Sequence, residues 1–312
     1  MPTIEIFLLA LVQAAILLVL APVFTGISRV MRAKMHSRKG PGILQDYRDL
    51  FKLYKRQDVA PAASGIVFTV MPYVLMASML VVAMALPVFT QKSPIGVAGD
   101  LITVAYLFAL ARFFFSLSGL DTGSTFGGLG ASRESTLGVL VEPTMILSLL
   151  VAALIQGTTN IGGISTAIAT GHVQSPMAII LAFVAFGFAV YIEMGKLPFD
   201  MAEAEQELQE GPLTEYAGSG LATLKWGLAL KKIVVAAMFV GVFIPFGNAA
   251  TLSIGGLVLA AVLFLVKVLT VYLLTALFEN GMARGRFLLT SRITWVGFGV
   301  ASLSFVFYLA GL

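Results

Sequence analysis

Seven runs of about 20 or more mostly apolar residues, and a shorter one at 233–246 broken by Pro245, follow one another along the chain, the seven at 4–24, 66–89, 101–120, 136–156, 177–197, 252–278 and 293–312. An apolar run of that length is what a helix needs to cross a bilayer. Of the 312 residues 58% are hydrophobic and 12% charged, against about 45–50% and about 25% in a soluble domain. Such a chain cannot present water-compatible groups all round, so a soluble enzyme is excluded. The expected fold is all-α: a polytopic membrane protein of about eight transmembrane helices, forming one integral domain over residues 1–312.

The charges orient these spans. Seventeen Lys and Arg residues fall in the loops after spans one, three, five and seven, and only Lys92 in the others. The positive-inside rule puts the basic loops in the cytoplasm, and both termini on the opposite side. The net charge of +4 is thereby explained by topology, without nucleic acid. Glu5 lies at the start of the first span and the first basic residue, Arg29, follows it. A cleaved signal begins with a basic stretch, so this span reads as a permanent helix. No repeat or low-complexity tract interrupts the chain.

There is no cysteine. Disulfides, thiolate metal sites and Cys-ligated iron–sulfur clusters are excluded. His36 and His172 fall on opposite sides of the expected membrane and cannot clamp one haem. Any electrons would travel through a partner.

Three features carry chemistry. In the first cytoplasmic loop, 25–65, residues 43–56 are expected to form an amphipathic helix after the rigid Gly40-Pro41-Gly42 turn. Ile43, Leu44, Tyr47, Leu50, Phe51 and Tyr54 share one face; Asp46, Asp49, Lys52, Lys55 and Arg56 share the other. The helix reads either as lying at the lipid headgroups or as a platform beneath a soluble partner, and the two are compatible. Second, Glu142 and Glu193 lie within apolar spans, where an ionisable group costs at least about 2.5–3.5 kcal/mol. They point to a proton or polar path with Arg112 and Lys267 as counter-charges, or to structural ion pairs. Third, the 198–232 loop opens on an acidic stretch with Asp200, Glu203, Glu205, Glu207, Glu210 and Glu215. Asp200 is expected to N-cap a short helix with Glu203 as its capping-box partner. Glu203, Glu207 and Glu210 would share one face, where crowded carboxylates hold protons between them. Proton handling or docking to a basic surface follows.

Over essentially its whole length the chain resembles the eight-helix membrane subunit of respiratory complex I. It is more similar to the counterpart in membrane-bound group-4 NiFe hydrogenases of the formate hydrogenlyase and hydrogenase-4 type. The resemblance is carried by Arg38-Lys39-Gly40-Pro41, by Arg133 with Glu142, and by Glu193 followed by Pro198-Phe199-Asp200. It continues through Glu203-Ala204-Glu205, Glu207-Leu208 and Glu215-Tyr216. Leu120-Asp121-Thr122-Gly123-Ser124 and Gly130-Ala131-Ser132-Arg133-Glu134 look like the hydrogenase branch. Gly42 stands where quinone-reducing enzymes usually have Asn, and Glu279 near where they carry an arginine, with Arg284 and Arg286 beyond it.

The resemblance implies a non-catalytic membrane anchor and proton-path subunit in the bacterial inner membrane. No cofactor is expected in this chain. The NiFe centre and the iron–sulfur clusters would sit in hydrogenase large, small and iron–sulfur subunits on the cytoplasmic side, beside antiporter-like membrane subunits. The departures make quinone binding doubtful. The implied relay is Glu142, Glu193, Glu203, Glu205, Glu207 and Glu210 with Arg112 and Lys267. The implied docking motif is Arg38, Gly40, Pro41, Asp121, Arg133, Glu134, Pro198, Phe199, Asp200 and Glu215. Two alternatives compete. A quinone-site subunit of an NADH:quinone oxidoreductase would bind quinone under the first cytoplasmic loop. A stand-alone transporter would work alone, and carriers of that class often show internal repeats.

Overall fold

The structure, a computed structural model, describes residues 4–171, 174–285 and 287–311, without the side chains of Glu205, Phe287, Leu288, Leu289 and Ser291. The expectations placed on His172, Arg286 and the Glu205 carboxylate therefore lie outside the described residues. The helices are α1 Ile4–Met35, α2 Gln45–Tyr54, α3 Ile66–Ala85, α4 Leu101–Asp121, α5 Thr125–Gln156, α6 Ile161–Ala169, α7 Pro176–Glu193, α8 Glu205–Leu208, α9 Gly218–Phe243, α10 Ile254–Gly281 and α11 Phe287–Leu309. Among the described residues eight helices are long and apolar enough to cross a membrane: α1, α3, α4, α5, α7, α9, α10 and α11. Helices close every backbone hydrogen bond internally, which is what a hydrocarbon solvent demands. The chain is an integral multi-pass membrane protein.

Three spans are longer than hydropathy alone indicates. α1 continues to Met35, α5 starts at Thr125 rather than 136, and α9 starts at Gly218 rather than 233. The reason is the same in α5 and α9. Arg133 and Glu134, and likewise Lys225, Lys231 and Lys232, break the apolar pattern without breaking the helix. Lys225 and Lys231 face Glu210 and Glu193 instead of lipid. α9 is the central mast: every residue from Ile233 to Phe243 is buried. A helix apolar all round belongs in the interior. α1, α3, α7 and α10 pack around it.

The two ends of the bundle are built differently. At one end lie α2, α8, the 194–217 loop and the turn before α11, the segments that the charge map assigns to the cytoplasm. Here helix starts are capped by acids from distant segments. Asp121 Oδ2 accepts from the amides of Gly65 at 2.9 Å and Phe68 at 3.0 Å, closing the first turn of α3. Asp58 accepts from the Ser219 hydroxyl and from the Gly220 amide at the start of α9. At the opposite end the caps are local: Asp100 for α4, Asn160 for α6 and Ser253 for α10.

The hydrogen bonds from Ser219 and Gly220 hold the Asp58 carboxyl below its ordinary value of 3.8. A carboxylate lowered on folding stabilises the folded state above its unfolded value and loses that contribution as pH falls through the lowered one. Hydrogen exchange should therefore show the first turn of α9 protected at neutral pH, and deprotected only below about pH 3.8. In Asp58→Ala that turn should be unprotected at every pH.

Candidate functional site

Glu134, Gly138 and Glu142 fall at i, i+4 and i+8, so they share one face of α5. The missing side chain at Gly138 leaves a notch, and Arg112 of α4 lies across it. A Cβ at Gly138 would overlap the Arg112 guanidinium and its Cδ. From this notch Arg112 Nε reaches Glu134 Oε1 at 3.5 Å and Glu142 Oε1 at 3.4 Å. Its Nη2 donates to Glu193 Oε1 in the last turn of α7. Glu193 Oε2 lies 2.9 Å from Lys231 Nζ on α9. Four membrane helices thus meet in one cluster of two cations and three carboxylates. Its depth is graded: the Glu193 side chain is 2% exposed, Arg112 11% and Glu142 31%.

Three cavities reach this cluster in series. The first, about 500 Å³, lies between α1, α2 and α9. Eight of its sixteen lining residues are charged: Arg29, Asp46, Asp49, Lys52, Glu203, Glu210, Lys225 and Lys232. It shares Glu203, Leu228 and Lys232 with a second, a constriction of about 50 Å³ that is also lined by Glu134, Arg112, Glu193 and Lys231. That constriction shares Arg112 and Glu193 with a third, an apolar groove of about 460 Å³ along α4 and α5 that holds Glu142. In the first chamber Asp46 faces Arg29 at 2.6 Å, yet burial still pushes its carboxyl up.

The acidic stretch is arranged differently from its sequence pattern. Asp200 does not cap a helix; it accepts from Arg284. The helix that forms, α8, spans four residues, follows Ala204 and has no side-chain cap. Gln209 and Glu210 take left-handed backbone angles, φ 48° and 69°, so Glu203, Glu207 and Glu210 share no face. Glu207 pairs with Arg133 at 2.6 Å and Glu210 with Lys225 at 3.2 Å. Ion pairs with three different elements outcompete the local cap, and they draw the carboxylates apart. Glu203 remains at the junction of the two polar cavities.

Lys267 is a second correction. Its ammonium donates to the carbonyls of Ile244, at 2.8 Å, and Phe246, at the end of α9 opened by Pro245. A cation there satisfies freed carbonyls and suits the helix dipole. It forms no part of the carboxylate cluster.

The remaining motif residues divide. Arg38 and Pro41 are exposed. Gly40 presses on Ala33, where a Cβ would come within 2.7 Å of the alanine methyl. Pro198 is buried, and the buried Phe199 sets its ring edge-on to Phe188 and Tyr191. Glu215 is half-buried and in no ion pair among the described residues. Its neighbour Tyr216 donates to the Phe68 carbonyl at 2.8 Å, and burial pushes its phenol up to about 12.

Two charged groups take ion-pair roles that the sequence reading did not give them. Lys231 counted only as one of the basic loop residues, although it begins the apolar run that follows. Glu279, 4% exposed, sits between Arg32 and Lys196, each at 3.0 Å. Lys196 also reaches Ser28 at 2.9 Å, and burial pushes its ammonium down while Glu279 opposes the shift. Like Glu193, Glu279 is an acid in the last turn of an apolar helix, the signal by which it was findable. Among the described residues no three His, Asp or Glu side chains converge as a metal site.

Glycine-to-alanine changes on α5 separate the notch from ordinary helix propensity. Gly128→Ala meets only the tip of Leu120, and should be neutral or stabilising by about 0.5–1 kcal/mol. Gly138→Ala must displace a pinned Arg112, and should destabilise by about 1–3 kcal/mol. The thermal midpoints of the two purified variants test this; equal midpoints would refute the packing argument.

The NADH dehydrogenase family profile matches residues 7–310. "Hydrogenase-4 component C" of Escherichia coli K12 is 62% identical over 303 residues, covering 97% of this chain and 96% of the relative. "Formate hydrogenlyase subunit 4" of the same organism is 57% identical over 300 residues, with 96% and 98% covered. A subunit of the NADH-quinone oxidoreductase of Wolinella succinogenes is 30% identical over 243 residues, 72% of each chain. Among solved structures, a chain of the membrane-bound sulfane sulfur reductase, an archaeal respiratory membrane complex, superposes with a TM-score of 0.82. It is 22% identical, with 96% of this chain and 98% of that one covered, and so speaks for the fold alone.

Proposed function

The chain belongs to the NADH dehydrogenase family, and from that premise we propose that it is the membrane anchor and proton-path subunit of a group-4 NiFe hydrogenase complex of the formate hydrogenlyase or hydrogenase-4 type. Identities of 62% and 57% over nearly the whole chain favour this branch over the quinone-reducing one, at 30% over 72%. The NiFe centre and iron–sulfur clusters belong to partner subunits on the cytoplasmic side, and antiporter-like subunits lie beside this one in the bacterial inner membrane. Both termini face away from the cytoplasm. Loops 25–65 and 198–232 form the docking surface, with Arg38, Gly40 and Pro41 at its edge and Asp121, Arg133, Asp200 and Glu215 within it.

The observation that carries the proton path is the sharing of lining residues by the three cavities. Protons enter the charged chamber under α2, pass Glu203 and Lys232, and reach Glu193 and Glu142 through the constriction. With all groups ionised the cluster carries one negative charge more than its cations match. That surplus is what a site needs if it is to take up a proton and give it back. The chamber suits this better than quinone binding: half its lining is charged, a poor match for a prenyl chain.

Purification through a tag on this chain tests the assembly. Nickel and iron should co-purify, with hydrogen evolution from a reduced dye. Flavin with quinone reductase activity and no nickel would move the chain to the quinone branch, and a chain emerging alone would return the transporter.

The path has its own test. Glu142→Gln with Glu193→Gln should lower proton-coupled turnover in vesicles at least about tenfold per nickel bound, whatever share of the nickel the weakened cluster retains. Full turnover and coupling in that double variant would overturn the path and leave the anchor.

A further inference from the structure

The face of α2 turned away from the charged chamber takes no part in the path. Leu44, Phe51 and Tyr54 on that face are 56%, 61% and 41% exposed, an apolar strip on a mostly polar helix. Two tyrosines fix its depth. The Tyr47 hydroxyl donates to the Val19 carbonyl of α1. The Tyr54 hydroxyl lies 3.3 Å from Thr223 Oγ1, with its ring edge-on to Trp226 of α9. Gly26 abuts the backbone of Ile43, so α2 meets α1 where the apolar part of α1 ends. Tyr and Trp gathered at such a level mark the boundary between hydrocarbon and headgroups.

The charges beside the strip have one sign. Arg48 and Lys55, at i and i+7, are exposed along the same flank, next to Leu44 and Phe51. The acids of α2 are turned elsewhere: Asp46 to Arg29, Asp49 to the Gln45 amide at 2.9 Å. Below the strip, α1 presents Leu8, Val12, Ala15 and Val19 at i, i+4, i+7 and i+11, all exposed. This apolar track ends at the Tyr47 hydroxyl.

We infer that this flank of α2 is a binding site for an anionic phospholipid of the bilayer. The phosphate sits between Arg48 and Lys55, the glycerol region beside Phe51 and the two tyrosines, and an acyl chain along the α1 track. A zwitterionic lipid would offer the same chains with no net charge for the two cations. The site rests neither on the hydrogenase assignment nor on the proton path.

Native mass spectrometry of the full chain in mild detergent, titrated with phosphatidylglycerol or phosphatidylcholine, tests it. Phosphatidylglycerol should bind at least about tenfold more tightly than phosphatidylcholine. Arg48→Gln with Lys55→Gln should weaken it about thirtyfold, leaving phosphatidylcholine unchanged. Lys34→Gln with Lys39→Gln, equally basic but off the strip, should change neither. Equal affinity for the two lipids, or equal losses in the two double variants, would overturn the site. A benzophenone amino acid replacing Phe51 gives a readout that does not depend on the folding of those variants. In native membranes it should crosslink to phospholipid; a crosslink to a protein subunit would overturn the inference and make the strip a protein-docking face.

Discussion

Arg112 is a cation held inside a bilayer-sized bundle, and the arrangement of four helices follows from the need to neutralise it. A guanidinium stays charged under all ordinary conditions, so it must be surrounded by acceptors. α5 supplies two carboxylates one helical turn above and below a glycine notch, α7 supplies Glu193, and α9 supplies Lys231 to balance the crowding. Removing one partner from such a cluster leaves buried charge uncompensated, which typically costs about 3–5 kcal/mol. The helices are therefore fixed in register by charge as well as by packing.

The same logic extends to the end of the bundle that carries the basic loops. The tract between α7 and α9 contains almost no regular structure beyond α8, yet it is not loose in its interactions. Lys196, Asp200, Glu207 and Glu210 each meet an opposite charge on another element. Phe199 and Tyr216 anchor it in apolar pockets. An irregular segment at the edge of a membrane is tolerated where protein encloses it. The opposite end relies instead on backbone pairing between its connecting segments, with Gln91 and Phe89 bonded to Ala249 and Leu101 and Gly99 bonded to Thr159 and Ile161.

How much of this was legible depended on how far each signal reaches along the chain. Eight helices were readable because hydropathy is a property of contiguous residues. Glu142 and Glu193 stood out for the same reason, as charges in apolar runs. Their partners did not all stand out: Arg112 was readable as a counter-charge, but Lys267, equally available in sequence, binds carbonyls at the C-terminal end of α9 while Lys231 takes its place. The face formed by Glu134, Gly138 and Glu142 was periodic and could have been read, but Glu134 lay outside the expected span. The acidic stretch misled for a physical reason. Capping boxes and shared faces are local preferences worth about 1 kcal/mol, and they yield when Arg133, Lys225 and Arg284 each offer an ion pair from elsewhere.

The burial of α9 also bears on how the molecule is made. A transmembrane segment that is to enter lipid by itself must be apolar on the faces that lipid will touch. The first half of α9 carries Lys225, Lys231 and Lys232, and its second half has no lipid-facing side at all. Offered singly to the bilayer, the helix would place its lysines without Glu193 and Glu210 to receive them. α9 meets the acids that pair its lysines only in company, once α7 and the acidic tract have been synthesised ahead of it. The order of the chain provides for this, since both precede α9. The charge pairing of this central helix is thus completed against segments already made, while its apolar half suits the interior of the bundle.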